Sequence, residues 1–319
     1  MVFSTCTTDF VLEGDWEEIP IVYGFINAND TAHYIRLEKA FLEPGGDASQ
    51  IAQIADSLYF GTDVEVVLEN ISNGQSYTLT RVDGNLDGYP RATGVFADSP
   101  NYLYKILDEE INLEGNEKLN LLVKRGEEVI TSAEITVLTQ VSPGETQPSN
   151  PLRLKRYTNT IGISWRMGVE AKVFDVRLRV NFMERHSGGE FEPKSVIFQV
   201  ASRVENKEDK ISEKTSFRSE AFYQFLGAAL EKDPSIARKD LTVDVIVQGG
   251  GKEFLDFLSI YNANLGISSA NEVPVYTNMS NGFGIFTSRS QGIRTGLVLD
   301  SESMDSLQNG IYTRDLNFN

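Results

Sequence analysis

Lys172-Val173-Phe174-Asp175-Val176-Arg177-Leu178-Arg179-Val180-Asn181-Phe182 carries the strongest structural signal in the chain. Phe174, Val176, Leu178, Val180 and Phe182 are apolar, and Asp175, Arg177, Arg179 and Asn181 between them are polar. A period of two puts the apolar side chains on one face of a strand, whereas a helix would scatter them round its axis. Such a face needs a second layer over it, so the run predicts one sheet of a β-sandwich. Arg185-His186-Ser187-Gly188-Gly189 supplies the turn, and Ser195–Ala201 is the strand that pairs back.

Upstream, Ile161-Gly162-Ile163-Ser164-Trp165 is another strand. A Trp strand followed by a run of this kind resembles the core strands of fibronectin type III modules, a likeness of fold alone. Downstream, Arg203 to Lys214 reads as a charged loop. Phe217, Ala221, Phe222, Phe225, Leu226 and Ala229 then form one helical face, with Ser216 or Ser219 as its cap and Asp233-Pro234 as its stop. Leu241–Val247 alternates as a strand, three glycines turn the chain, and Phe254, Leu255, Phe257, Leu258 and Tyr261 mark a second helix. Residues 155–319 are therefore expected as a β-rich, fibronectin-III-like domain carrying two helices.

The first half repeats the β pattern. Ile19–Ile26 is a short apolar run closed by Asn27-Ala28-Asn29-Asp30, and in His33 to Ala40 the residues His33, Ile35 and Leu37 share one face. Asp47 is placed to cap a helix through Ile51, Ile54, Ala55 and Leu58. Strands follow at Val64–Leu68, Tyr77–Val82, Leu119–Lys124 and Val129–Val137. Short strands spaced by turns predict an immunoglobulin-like sandwich over 19–140. Residues 141–154, with prolines at 143, 148 and 151, read as the linker between domains. The expected fold is thus mainly β, two β-sandwich domains in sequence, and 319 residues is a length that suits two.

Asp83-Gly84-Asn85-Leu86-Asp87-Gly88 places oxygen-bearing side chains at alternate positions, like the front of a calcium loop, which makes Asp83, Asn85 and Asp87 candidate ligands. The pattern then lapses: Gly94 stands where the bidentate Glu of such a loop belongs, and Pro90 sits at the eighth position. An Asp/Asn/Gly turn explains the same residues without a metal, because these residues tolerate positive φ and bond their own backbone. Tyr89, Arg91, Phe96, Tyr102 and Tyr104 nearby are expected to pack the loop down.

Composition excludes more than it selects. A net charge of −17, from 29 basic and 46 acidic residues, is opposite to the basic footprint of a nucleic-acid-binding protein. It also argues against a basic membrane-binding face. Two histidines, His33 and His186, leave little material for a zinc hydrolase. The chain contains no G-x-S-x-G, S-x-x-K or phosphate-binding loop. A carboxylate pair for glycan hydrolysis stays open on number alone.

Two further segments carry a resemblance. Phe3-Ser4-Thr5-Cys6 resembles the lipobox of bacterial lipoproteins, and Cys6 is the one cysteine of the chain. Residues 1–18 then read as a lipobox remnant and a solvated tether, with Cys6 as the lipid anchor. Near the other end, Glu272-Val273-Pro274-Val275-Tyr276-Thr277-Asn278-Met279-Ser280-Asn281-Gly282-Phe283-Gly284-Ile285-Phe286 resembles the C-terminal signature of a family of Bacteroidota cell-envelope lipoproteins with no assigned activity. The Ile21-Val22-Tyr23-Gly24-Phe25-Ile26-Asn27 opening fits the same family. The resemblance implies an outer-membrane lipoprotein, attached through its lipid alone and often encoded beside a TonB-dependent receptor. It carries over no catalytic residue. The expected function is non-enzymatic binding of a partner or nutrient ligand near an outer-membrane transporter. The alternatives are an adhesin or surface-assembly subunit and a glycan hydrolase. No cofactor is expected beyond the calcium candidate.

Overall fold

Phe174, Val176, Leu178, Val180 and Phe182 are all buried on one face of a strand, as their alternation predicted. The computed structural model describes residues 18–40, 48–208, 210–265 and 275–319. Its strands in the first half are β1 (Ile19–Ile26), β2 (Ala32–Ala40), β3 (Val64–Asn70), β4 (Gln75–Thr78), β5 (Thr80–Asp83), β6 (Tyr102–Leu107), β7 (Lys118–Arg125) and β8 (Glu128–Thr136). The second half adds β9 (Ser142–Pro143), β10 (Thr160–Arg166), β11 (Val173–Arg185), β12 (Glu192–Glu205), β13 (Ser212–Arg218), β14 (Ala237–Gly250) and β15 (Phe283–Leu297). The helices are α1 (Ala48–Ile51), α2 (Ala55–Leu58), α3 (Asp108–Ile111), α4 (Ser219–Ala229), α5 (Lys252–Leu265) and α6 (Ser301–Asn309). The protein is mainly β, with sandwich layering.

One eight-stranded sheet, ordered β12-β11-β14-β15-β1-β2-β6-β5, runs through both halves. A four-stranded sheet, β4-β3-β7-β8, covers one end of it, and a three-stranded sheet, β13-β10-β9, covers the other with α4 and α6. Each end has its own core. Val22, Ile35, Val66, Leu121 and Ile135 belong to the first, and Trp165, Phe174, Phe222, Val245 and Leu307 to the second. Trp165 and Phe174 face each other across the second core, with ring centroids 5.6 Å apart.

β15 joins the two ends. Phe283–Ser288 pair parallel with Ile21–Ile26, and Arg289–Leu297 pair antiparallel with β14. Phe286 and Met279 consequently sit in the first core although they lie near the end of the chain. The Asn278 side chain clamps β15 by donating from Nδ2 to Phe286 O (2.7 Å) and accepting at Oδ1 from Phe286 N (3.0 Å). Ser280 extends the attachment to β8, its N–H donating to Ser132 O (2.8 Å). The 275–286 segment is therefore a stitch between two sheets, and Glu272 to Pro274 of the same signature lie outside the described residues.

Several expectations need correction. Residues 141–154 were expected as a solvated linker, but Val141, Leu152 and Leu154 are buried in the second core. The segment's amides also find partners along its length. Val141 N donates to Ser290 Oγ (2.9 Å), Leu152 N to Val298 O (2.8 Å) and Leu154 N to Ser303 Oγ (2.6 Å). Prolines at 143, 148 and 151 have no amide hydrogen to satisfy, so a proline-rich strap can lie against β15 without buried donors left over. The helix expected through Ile51 to Leu58 is two four-residue helices instead, and Asp47 falls outside the described residues. Tyr77–Val82 is broken at Leu79, whose N–H donates to Val66 O (2.9 Å), so β4 and β5 enter different sheets. α4 has neither serine as its side-chain cap, and α6 was not foreseen: Asp300 caps it by accepting from Ser303 N (2.9 Å), but its face holds little besides Met304 and Leu307.

Asp244 fastens β15 to its neighbours. Its Oδ2 accepts from Arg179 Nε (3.0 Å) and Nη2 (2.8 Å) and from Asn181 Nδ2 (2.9 Å), and its Oδ1 accepts from Gly296 N (2.9 Å). Burial alone would raise its pKa, but the Gly296 N–H, followed by Arg179 and Asn181, holds it below its ordinary value of 3.8. A depressed folded value means that the stability contributed by this carboxylate is complete above 3.8 and is lost as the pH falls through the lower folded value. Urea midpoints taken down to pH ~2 should therefore fall less steeply for Asp244→Asn, destabilised at neutral pH, than for wild type. Equal slopes would show that Asp244 contributes no such linkage.

Gly284 sets how closely β15 can approach β1. Its φ is +118°, and a Cβ there would fall on the carbonyl of Val22, within 2.8 Å of that residue's amide nitrogen. Gly296, at φ +74°, would meet nothing within 4 Å. Gly296→Ala should cost ~1 kcal/mol from φ alone, and Gly284→Ala at least ~2 kcal/mol more because the strands must separate. Chemical denaturation measures both, and equal losses would show that the close approach does not matter.

Candidate functional site

A cleft of about 630 Å³ opens where β15 passes from β1 to β14. Its apolar wall is made by Phe25 on β1, Val173 on β11, and Phe254 and Leu258 on α5. α5 reaches this position because β14 ends in glycine. A Cβ on Gly250 would lie 2.7 Å from Phe254 Cδ1, so only the bare backbone lets the helix fold back over the strand end. Gly251 N donates to Ser288 O (3.0 Å), and Thr287 Oγ1 donates to Glu253 Oε2 (3.1 Å), which ties the first turn of α5 to β15. The rings of Phe25 and Phe254 meet edge to face at 6.2 Å.

The opposite wall is built by a bulge. The pairing of β11 with β12 slips between Phe174 and Val176, and Arg203 takes a positive φ of 54°. An extra residue on one strand re-aims its side chains. Here Ser202 and Arg203 reach the cleft, with Arg203 N donating to Asp175 Oδ1 (3.1 Å) and Arg203 Nη2 donating to Ser259 Oγ on α5 (2.9 Å). Positive φ is uncommon for a residue with a side chain, and these bonds hold Arg203 in place.

Charges of both signs line the cleft. Arg177 Nη2 lies 3.0 Å from Asp175 Oδ2, and Arg289 Nη2 lies 2.8 Å from Asp30 Oδ2. Asp30 Oδ1 accepts in addition from Asn27 Nδ2 (2.7 Å). Between β14 and β15, Gln248 Nε2 donates to Gln291 Oε1 (2.9 Å). Farther along α5, burial, with Asp256 and Glu253, pushes the Tyr276 hydroxyl up to about 12, so it is a neutral phenol at physiological pH. A glycosidase acid is a carboxyl kept apart from cations in an apolar pocket. The two cleft aspartates are instead bonded to guanidinium groups.

The calcium candidates are not brought together on one centre. Asp83 Oδ1 accepts from Asn85 N (3.0 Å) and Asn101 N (3.1 Å). Asn85 Nδ2 donates to Asp98 O (2.8 Å), and its Oδ1 accepts from Arg91 N (2.9 Å). Asp87 Oδ2 accepts from Tyr34 (2.7 Å) and lies 2.9 Å from Lys105 Nζ. The hydrogen bond from Lys105, with that from Tyr34, holds the Asp87 carboxyl below the usual carboxylate range. Among the described residues no group of three or more His, Cys, Asp and Glu is arranged to hold a metal ion. The aromatic residues beside the loop pack it only in part: Tyr34 and Tyr89 lie 4.5 Å apart and Arg81 stacks 3.7 Å above Tyr102, but Tyr89 and Phe96 stay about half exposed.

The remaining candidates are widely separated. His33 is buried on β2 with Nε2 3.0 Å from Asp108 Oδ1, and His186 is exposed at the tip of the β11–β12 turn, 3.4 Å from Glu184. Cys6 lies outside the described residues. The cleft itself escaped the sequence reading. Asp175 and Arg177 appeared only as the polar face of β11, and Arg289 carried no pattern. The one legible signal was Gly249-Gly250-Gly251 directly before an apolar helix.

No protein-family model and no curated protein matches this chain. Among solved structures, the C-terminal globular domain of an oligosaccharyltransferase from Pyrococcus abyssi is similar over 71% of this chain at 14% identity, with a TM-score of 0.26. The match spans 45% of that domain's chain. A likeness at that level carries nothing about fold or chemistry to this protein.

Because Asp83, Asn85 and Asp87 each bond a different set of protein donors, calcium should not add to stability. The melting temperature is expected to be the same in excess chelator and in millimolar calcium. A rise with calcium would instead report a bound ion through mass action.

Proposed function

We propose that this chain is a non-enzymatic envelope lipoprotein, anchored at Cys6, that binds a nutrient ligand in the cleft beneath α5 and passes it to an outer-membrane transporter of the TonB-dependent kind. The observation that carries the reading is the cleft. It combines a concave apolar wall with a few fixed polar groups, the usual make-up of a small-molecule site. Its two aspartates are bonded to arginines and its histidines are elsewhere, which supports binding over catalysis. The resemblance at Cys6 and at 275–286 supports the envelope address.

A second reading, a surface-assembly subunit, draws on one feature. β12 is fourteen residues long, pairs among the described residues only with β11, and has no charge from Ser195 to Ser202. Sheet edges of that kind accept an added strand.

Both readings meet in one experiment in the natural host. With the full-length gene, radiolabelled palmitate should enter the wild type and not Cys6→Ser, which should leave the membrane fraction. A pull-down from detergent-solubilised envelopes should recover a TonB-dependent receptor. Labelling that survives in Cys6→Ser would remove the anchor. Recovery of further copies of this chain, with no receptor, would favour the assembly subunit.

A further inference from the structure

We infer that the ligand of this cleft is a short zwitterionic peptide with an apolar side chain, an inference that rests on reading the cleft as a binding site. The charges carry the argument. Arg177, Arg203 and Arg289 line the cleft together with Asp30 and Asp175. A purely anionic ligand would meet two carboxylates, and a purely cationic one three guanidinium groups; like charges brought together at a desolvated contact cost affinity. A ligand with one charge of each sign finds an opposite partner for both.

The local bonding leaves room for that partnership. A guanidinium has five N–H donors, and Arg289 uses Nη2 on Asp30 while its side chain stays about half exposed. Arg177 gives Nε to Gln199 and Nη2 to Asp175, which leaves Nη1. An ionised carboxylate accepts at about four lone-pair positions, and Asp30 and Asp175 each fill two through the bonds described above. A ligand carboxylate can therefore join the arginines, and an α-ammonium group the aspartates, without breaking the existing pairs.

The rest of the lining suits peptide over sugar. Gln248 and Gln291 bond to each other through one N–H and one oxygen, and among the described residues Gln248 Oε1 and Gln291 Nε2 face no other partner. An acceptor and a donor side by side match the donor and acceptor of a peptide group. The Phe25, Phe254 and Leu258 wall offers neither donor nor acceptor. That wall bonds none of the hydroxyls a sugar would bring, whereas an apolar side chain would lose only its contact with water. About 630 Å³ is the size of site that takes a compact organic ligand, which for peptides means two or three residues.

The test is isothermal titration of the full chain with the dipeptide Leu-Phe, with N-acetyl-Leu-Phe-amide, with maltoheptaose and with octanoate. Leu-Phe should bind, and blocking both termini should weaken it at least ~10-fold. Phe254→Ala should abolish binding of both peptides. The double variant Asp30→Asn/Arg289→Gln, which removes both charges of one pair, should weaken Leu-Phe ~10-fold and leave the blocked peptide unchanged. Far-ultraviolet melting curves confirm that each variant is folded. Binding of maltoheptaose or octanoate, but not Leu-Phe, with loss in Phe254→Ala would overturn the peptide and leave the cleft as a site. No binding by any probe, or binding untouched by Phe254→Ala, would overturn the cleft itself.

Discussion

The parallel pairing of Phe283–Ser288 with Ile21–Ile26 is the interaction on which the architecture depends. Parallel neighbours need a long connection between them, and here the connection is nearly the whole protein. It makes one sheet of what would otherwise be two, and it puts Phe286 into a core assembled from residues 22–137. Glycine at 284 permits the approach, Asn278 fixes the backbone of Phe286, and Asp244 holds the far half of β15 to β11 and β14. Each of these contacts acts on the same strand.

The cleft is a consequence of that joint. Where β15 changes partner from β1 to β14, the outer face of the sheet loses its regular neighbour, and α5 is laid over the gap after three glycines. The floor is rigid strand. The walls are a helix and a bulge, both tied down by side-chain bonds such as Thr287 to Glu253 and Arg203 to Ser259. A site held on strands and fixed from several sides needs little ordering when a ligand arrives, and such preorganisation favours affinity.

Local signals in the sequence reached the strands and stopped at their partnerships. The alternation at 174–182 gave β11 its buried face, and the turn at Arg185-His186-Ser187-Gly188-Gly189 marked the β11–β12 hairpin, because both are decided by neighbours in sequence. The strap at 141–154 has the composition of a linker; what ties down the amides of Val141 and Leu154 are Ser290 and Ser303, about 150 positions away. The cleft was illegible for the same reason. Asp30 and Arg289 make a site only because β1 and β15 are adjacent, and no periodicity in either strand announces it. Asp83-Gly84-Asn85-Leu86-Asp87-Gly88 shows the converse: a suggestive spacing whose oxygens turn out to face different donors.

The pairing of β1 with β15 also bears on the order in which the molecule can be made. Ile26 and Ser288 are bonded across a separation of 262 residues. The amino-terminal sheet therefore emerges from the ribosome with one side of β1 unpaired and Phe286 missing from its core, and it stays incomplete until residues 283–288 have been added. Closure over so long a loop is slow, and a partly built sheet with an open edge is prone to wrong pairings meanwhile. Such a chain gains little by folding as it is synthesised. It folds best when β1 and β15 are present in the same compartment together.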